Sequence, residues 1–197
     1  MVKKRGGIVL DTKAFLEVLC NTDSVSGHES RLEETIVSAF ENHSNDIKVD
    51  SLGNIIALKK GRNNTGNIKI MLAAHMDEIG LMVKHIEDNG FIKFTTIGGI
   101  DPRTILGQEV IVHGKEDLFG VIGSKPPHLQ ESQEINKAIK IEDMIIDVGF
   151  SKEQLIDVIS IGDTITIKRQ LNILQGNRLT ARALDDKAGV AAMYECI

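Results

Sequence analysis

The chain has 197 residues, 42% hydrophobic and 26% charged, a globular composition whose length suits one domain or one and a half. Its net charge is −5, and the basic stripe that a nucleic-acid binder usually shows is not visible. With no run near the ~18 apolar residues of a membrane span and no signal-peptide core at the N-terminus, the sequence predicts a cytoplasmic protein that binds neither nucleic acid nor membrane.

The basic run Lys3–Arg5, followed by Gly6-Gly7, reads as a short solvated tail. A helix is predicted over "LDTKAFLEVLC", with Asp11 as its cap and Phe15, Leu16 and Leu19 on one face. "NTDSVSGHES" is turn chemistry. A second helix is predicted over "SRLEETIVSAFENH", opened by a Ser30-x-x-Glu33 capping box and carrying Leu32, Ile36, Val37 and Phe40 on one face. "IKVDSLGNIIALKKG" has two alternating runs around Ser51–Asn54 and predicts a hairpin. After the loop "GRNNTGN", the stretch "IKIMLAAHMDEIGLMVKHI" reads as one long strand. Glu87–Gly90 is a turn signal, and "FIKFTTIGG" is the next strand. Cys20 and Cys196, without a Cys-x-x-Cys pairing, fall in helical patterns and are expected as buried free thiols.

From Ile100 to Lys168 short β runs ("EVIVHG", "LFGVIGS", "IIDVGF", "DTITIK") alternate with Gly and Pro turns, and only "SKEQLIDVIS" is helical in pattern. That spacing suggests a small barrel or sandwich. After "GNRLTARALDD" the helical pattern returns in "KAGVAAMYECI". The order predicts an α/β domain interrupted by an inserted β domain.

Two constellations could carry chemistry. His75 and Asp77, two residues apart on the expected strand, point to one face at the C-terminal end where open α/β sheets place ligands. A His that binds metal through one nitrogen usually hands its other N–H to a carboxylate or carbonyl, a role Asp77 can fill. The plainer alternative is a strand-end His beside a solvated Asp. In "ALDDKAG", Asp185 and Asp186 precede a helix. Either is a good N-cap, and a carboxylate can also bridge two cations at the ~3.5–4 Å spacing of dinuclear hydrolases.

The chain resembles the glutamyl or deblocking aminopeptidases, tetrahedral dinuclear metallo-aminopeptidases of the co-catalytic zinc exopeptidase clan, some of them labelled cellulase or endoglucanase. The resemblance rests on "SVSGHES", "DSLGNIIALKKG", "AAHMDEIGLMV", "TIGGIDPRTILGQEVIV", "GVIGSKPPHL", "KIEDMIIDVGFSKEQ" and "LTARALDDKAGVAAMYE", in that order. It implies an incomplete zinc-exopeptidase-like α/β/α domain interrupted by a small PDZ-like β-barrel used for dimerisation. The metallopeptidase domain would take residues 1–80, the barrel 81–171, and the returning, truncated metallopeptidase domain 172–197. His75 would bind one of two divalent ions, zinc or cobalt. Asp77 would orient His75, Asp185 would bridge both ions, and the Asp185–Asp186 peptide would be cis. Peptides would be the substrates, and dimers would build a dodecamer.

The same family completes its site with a Glu-Glu pair, an Asp and a His downstream of the Asp-Asp-Lys helix. No Glu-Glu follows Asp186; Glu33-Glu34 is the only such pair, on a solvated helix face. His28, His43, His85, His113 and His128 match no family ligand position and read as surface or loop histidines. An inactive chain by itself is therefore expected, with a non-catalytic assembly fragment as the alternative. A glycoside hydrolase is disfavoured: sugar clefts need paired carboxylates, often with aromatic platforms, and the chain has no Trp and one Tyr, Tyr194.

Overall fold

The computed structural model describes residues 2–4, 7–9, 11–61, 68–126 and 138–197, the first two stretches by backbone alone. His128 therefore lies outside the described residues. The chain forms two compact units, one of Met1–Glu78 with Gln170–Ile197, the other of Ile79–Arg169.

The first unit opens with strands β1 (Val2–Lys4) and β2 (Gly7–Val9), paired antiparallel. Lys3 and Lys4 are thus in a strand and not the expected tail, while Arg5 lies outside the described residues; Val2, Ile8 and Val9 are β-branched residues that suit strands. Helix α1 (Thr12–Asn21) starts where the Asp11 side chain accepts the Ala14 N–H at 2.8 Å, and it buries Phe15, Leu19 and Cys20.

Helix α2 (Ser30–Glu41) buries Leu32, Ile36 and Phe40. Its expected capping box does not form. Glu29 takes the cap position, Ser30 is already helical, and the N–H groups of Leu32 and Glu33 donate to the Glu29 carbonyl, each at 2.9 Å. Strands β3 (Asp46–Val49) and β4 (Ile55–Leu58) make the expected hairpin. Asp50 closes it by accepting the N–H groups of Leu52 and Asn54 at 2.9 and 3.0 Å.

The long strand predicted over 68–86 is not one strand. Only Gly80–Ile86 forms one (β5), within the second unit. Among the described residues no strand pairs with 68–77; Glu78 makes a single parallel bridge to Val25. The alternation of side chains is present, but a ladder also needs a neighbour for each N–H and C=O. Ile68, Ile70 and Met71 consequently stand 86%, 83% and 89% exposed.

The second unit is a closed antiparallel barrel of β5, β6 (Ile92–Ile97), β7 (Glu109–His113), β8 (Asp117–Ser124), β9 (Met144–Asp147) and β10 (Thr164–Ile167). The order around it is β10-β5-β6-β9-β8-β7. Leu81, Val83, Ile92, Val110, Val112, Ile122, Ile146 and Ile165 fill it. Short helices α3 (Pro102–Ile105) and α4 (Lys152–Leu155) add Ile105 and Leu155 to that core. The signal "SKEQ" holds a reach-back bond, Gln154 accepting the Ser151 N–H at 3.0 Å. His113 is no loop residue. It sits on β7 with a side chain 10% exposed, one ring nitrogen 2.9 Å from Asp117 and the other 2.9 Å from Thr166.

The chain then returns to the first unit through a further hairpin, β11 (Asn172–Leu174) and β12 (Arg178–Thr180), which the sequence pattern does not reveal. Helix α5 (Leu184–Cys196) packs Val190, Ala191 and Tyr194 against Phe15, Leu19, Leu32, Ile36 and Phe40. The rings of Phe15 and Tyr194 lie 4.6 Å apart, those of Phe40 and Tyr194 5.8 Å, and His43 meets Tyr194 edge-on at 5.4 Å. The protein is thus a mixed α/β chain carrying a closed six-stranded barrel.

Candidate metal centre

The segment 74–78 alternates even without a ladder. Ala74 and Met76 pack on the core of the first unit, while His75 and Asp77 turn to each other. What holds it is the turn Ser24–Ser26. The Glu78 N–H donates to the Ser24 carbonyl (2.8 Å) and the Ser26 N–H to the Glu78 carbonyl (3.2 Å). The Ser24 hydroxyl donates to the Met76 carbonyl at 3.0 Å, and the Ser26 hydroxyl to Asp77 Oδ2 at 2.5 Å.

From the other direction comes the start of α5. Ala183 has φ 56° and ψ 28°, the Asp185–Asp186 peptide is cis, and regular helix follows. Asp186 caps that helix, its Oδ1 accepting the Gly189 N–H at 3.1 Å. A Cβ on residue 189 would lie 2.4 Å from that oxygen, so glycine lets the carboxylate sit there. Asp185 is left free to face His75.

His75 Nδ1 lies 3.0 Å from Asp77 Oδ1, and His75 Nε2 lies 3.4 Å from Asp185 Oδ1. The imidazole stands between two carboxylates contributed by segments over a hundred residues apart in sequence. The site is open: the His75 side chain is 56% exposed and that of Asp185 99%.

Glu78 ties the two segments together from beneath. Its carboxylate accepts the Ser24 N–H at 3.0 Å, lies 3.5 Å from Lys187 Nζ and 3.6 Å from Arg182 Nε. Lys187 is wholly buried and also donates to the Thr22 carbonyl at 2.9 Å, while Arg182 donates to the Cys20 carbonyl at 3.1 Å. Burial pushes the Lys187 ammonium below the ordinary lysine range, opposed by the Glu78 charge. A buried lysine is tolerated only where a carboxylate and an acceptor meet it. Glu78, the last residue of the chain before the second unit begins, is therefore an anchor within the first unit.

A divalent cation fits the donor chemistry in part. His75 Nε2 and a carboxylate oxygen of Asp185 converge, with the second imidazole nitrogen beside Asp77, the usual support for a metal-bound His. Among the described residues no group of three or more His, Cys, Asp or Glu could hold a metal, whereas catalytic zinc normally takes three protein ligands. The two donors are therefore a partial set. His28 is exposed and its backbone bonds Val25; no ligand role attaches to it. Tyr194, the one tyrosine, is a core residue 8% exposed and no sugar platform. Sequence reasoning missed Ser24, Ser26, Glu78, Arg182 and Lys187; the one available signal was the charged Glu78 inside an apolar run.

A family model described as M42 glutamyl aminopeptidase matches residues 53–197. The lysyl aminopeptidase of Pyrococcus furiosus is 32% identical over 186 residues, which are 92% of this chain and 53% of that protein. Among solved structures, an aminopeptidase from the archaeon Desulfurococcus kamchatkensis superposes with a TM-score of 0.84 at 37% identity, covering 92% of this chain and 50% of that one. The TET1 peptidase of Pyrococcus horikoshii, which can assemble into a tetrahedron or a large octahedral shell, gives 0.79 at 36% identity, covering 93% and 55%. The chain spans about half the length of the relatives it matches. Both the length of the family match and the ordered likeness to these aminopeptidases make this chain a member of the M42 glutamyl aminopeptidase family.

Proposed function

We propose that this chain carries part of the active site of a metal-dependent aminopeptidase, one that removes N-terminal residues from peptides in the cytoplasm. The observation that supports it most is the placement of His75 Nε2 3.4 Å from Asp185 with Asp77 on the opposite ring nitrogen. His75 would hold one divalent cation, zinc or cobalt, and Asp185 would bridge it to a second. Such a pair, when bound, polarises the scissile carbonyl and supplies a nucleophile at neutral pH. The roles of this chain's own residues are narrower. Asp77 keeps the proton on His75 Nδ1, Asp186 caps α5 so that Asp185 is aimed at His75, and Glu78 with Lys187 keeps the two segments in register.

With two donors, these 197 residues alone are expected to hold cations weakly and to release no residue. The test is release of the N-terminal residue from aminoacyl-anilides, with zinc or cobalt added, by the 197 residues and by a longer product of the gene. Metal-dependent release by a longer product, abolished by His75→Ala, is the expected result. Release that survives both chelation and His75→Ala would overturn the assignment.

A second role has its own support in the barrel, where Phe119, Val121, Ile156 and Ile161 are exposed at 47%, 39%, 58% and 70%. A copy of the same unit would cover side chains of this kind, giving dimers as building blocks of a dodecamer. Light scattering decides: a monomer at tens of micromolar would remove this role and leave the peptidase assignment intact.

A further inference from the structure

We propose that Ser26 is a positioning residue of this metal centre: its hydroxyl fixes the carboxylate of Asp77, and Asp77 so fixed keeps His75 in the tautomer that presents a bare Nε2. The proposal rests on the assignment of His75 as a ligand made above.

A neutral imidazole carries one N–H. On Nε2 it would block the approach of a cation; on Nδ1, donated to Asp77, it leaves Nε2 free. Asp185 Oδ1, 3.4 Å from Nε2, competes for that N–H, so the tautomer depends on how firmly Asp77 offers Oδ1 against it. The carboxylate torsion is broad and roughly two-fold, and the Asp77 side chain is 37% exposed, so water competes for both oxygens. Each oxygen has one protein partner here: Oδ1 lies 3.0 Å from His75 Nδ1, and Oδ2 accepts the Ser26 hydroxyl at 2.5 Å. Two bonds on opposite oxygens set the plane of the carboxylate, which one bond cannot do.

Ser26 is placed firmly enough to serve. Its N–H donates to the Glu78 carbonyl at 3.2 Å, its neighbour Val25 bridges Glu78, and Ser24 binds both Met76 and the Glu78 carboxylate. The alternative acceptor for the Ser26 hydroxyl, the Glu78 carbonyl, is at 3.5 Å, the limit of a hydrogen bond. The turn 24–26 is thus tied to 76–78 by main chain and side chain, and the hydroxyl points the tie at Asp77. The chain of contacts runs Ser26, Asp77, His75, Asp185, in order from the turn to the open site.

The experiment is long-range proton–nitrogen NMR of the histidine rings in the 197-residue chain, at a pH where the imidazole is neutral, with the His75 signal assigned by its loss in His75→Asn. The wild type is expected to show mainly the Nδ1–H tautomer. Ser26→Ala is expected to raise the Nε2–H form to a comparable share, and Ser26→Thr, which keeps the hydroxyl, to restore the wild-type ratio. Apparent Co(II) affinity, read from its absorption spectrum, should fall roughly three- to tenfold in Ser26→Ala, less than the 10–100-fold typical when the direct partner of a ligand is lost. Should Ser26→Ala fail to fold, Ser26→Cys, a weaker donor in the same place, is expected to give an intermediate ratio. A tautomer ratio unchanged by these substitutions, or shifted without rescue by Thr, overturns the proposal. Co(II) binding that His75→Asn leaves unchanged would overturn the ligand assignment instead, and the tautomer ratio still decides the role of Ser26.

Discussion

Two thiols of one chain differ in their surroundings. Cys20 is wholly buried on α1 and burial pushes its thiol above the ordinary range, only partly offset by the Lys187 charge nearby. Cys196, expected to be buried, is exposed on the last turn of α5, and both are free. The thiolate is the reactive form, so a chromogenic disulfide reagent should modify one thiol promptly in the native protein and the second only on unfolding. Two equally fast thiols would contradict the packing around Cys20. Asp101 offers a second residue-scale test. Its carboxyl is held down to about 2, from an ordinary 3.8, first by the Arg103 guanidinium and then by the Arg103 N–H. Because the folded value is depressed, its contribution to stability is present above the ordinary value and lost as pH falls through about 2. Carboxyl NMR should find that midpoint, and Arg103→Ala should move it up toward 3.8 without fully reaching it, since the backbone donor remains. At this scale the grouping of His75, Asp77 and Asp185 was legible as a candidate, the first two from residue type and spacing and the third from the family resemblance, and the three lie together. Ser26 and Glu78 were not: each works on partners at least fifty residues away, and nothing local marks a serine in a turn as a donor to such an aspartate.

Elements were legible where the signal was local. The Asp11 cap, the 50–54 turn and the strand spacing after Ile100 all act within a few residues of themselves, and all are present in the fold. The stretch 68–77 failed because periodicity describes side chains, and a strand is completed by another chain. The hairpin β11–β12 failed for a related reason, its two arms being three residues each. The turn between β5 and β6 is a sharp case of local coding. "EDNG" ends on Gly90, which adopts φ 86° and donates its N–H to the Glu87 carbonyl at 3.0 Å. A Cβ there would lie 2.1 Å from the Phe150 carbonyl oxygen, a backbone atom unable to swing aside. The left-handed conformation alone costs about 1–2 kcal/mol for a residue with a Cβ, and the clash adds to it. Gly90→Ala is therefore expected to lower the urea unfolding free energy by more than about 2 kcal/mol. A loss within about 0.5 kcal/mol, the scale of an ordinary surface change, would refute this account of the turn.

The whole molecule is two units of different construction. In the first, α1, α2 and α5 converge from both ends of the chain on one aromatic cluster. The second is made from one uninterrupted stretch, Ile79–Arg169, with a closed barrel and a core entirely its own. Its two ends are brought side by side by its own register: β10 pairs with β5, Thr164 opposite Met82 and Ile165 opposite Leu81. Closure removes free sheet edges, and fourteen of the described residues form its buried core. Among the described residues, nothing in that core is borrowed from either side. The stretch 79–169 expressed alone is accordingly expected to fold, with dispersed amide resonances and a single cooperative transition in urea, at a length where many independent domains do so. Gly90→Ala should weaken the excised barrel as much as it weakens the whole chain, because its contact with Phe150 lies inside that unit. His75→Ala, in the other unit, should leave the barrel's transition unmoved when introduced in the whole chain. An excised barrel that stays unfolded, or one whose stability tracks changes at His75, would show that the two units fold as one.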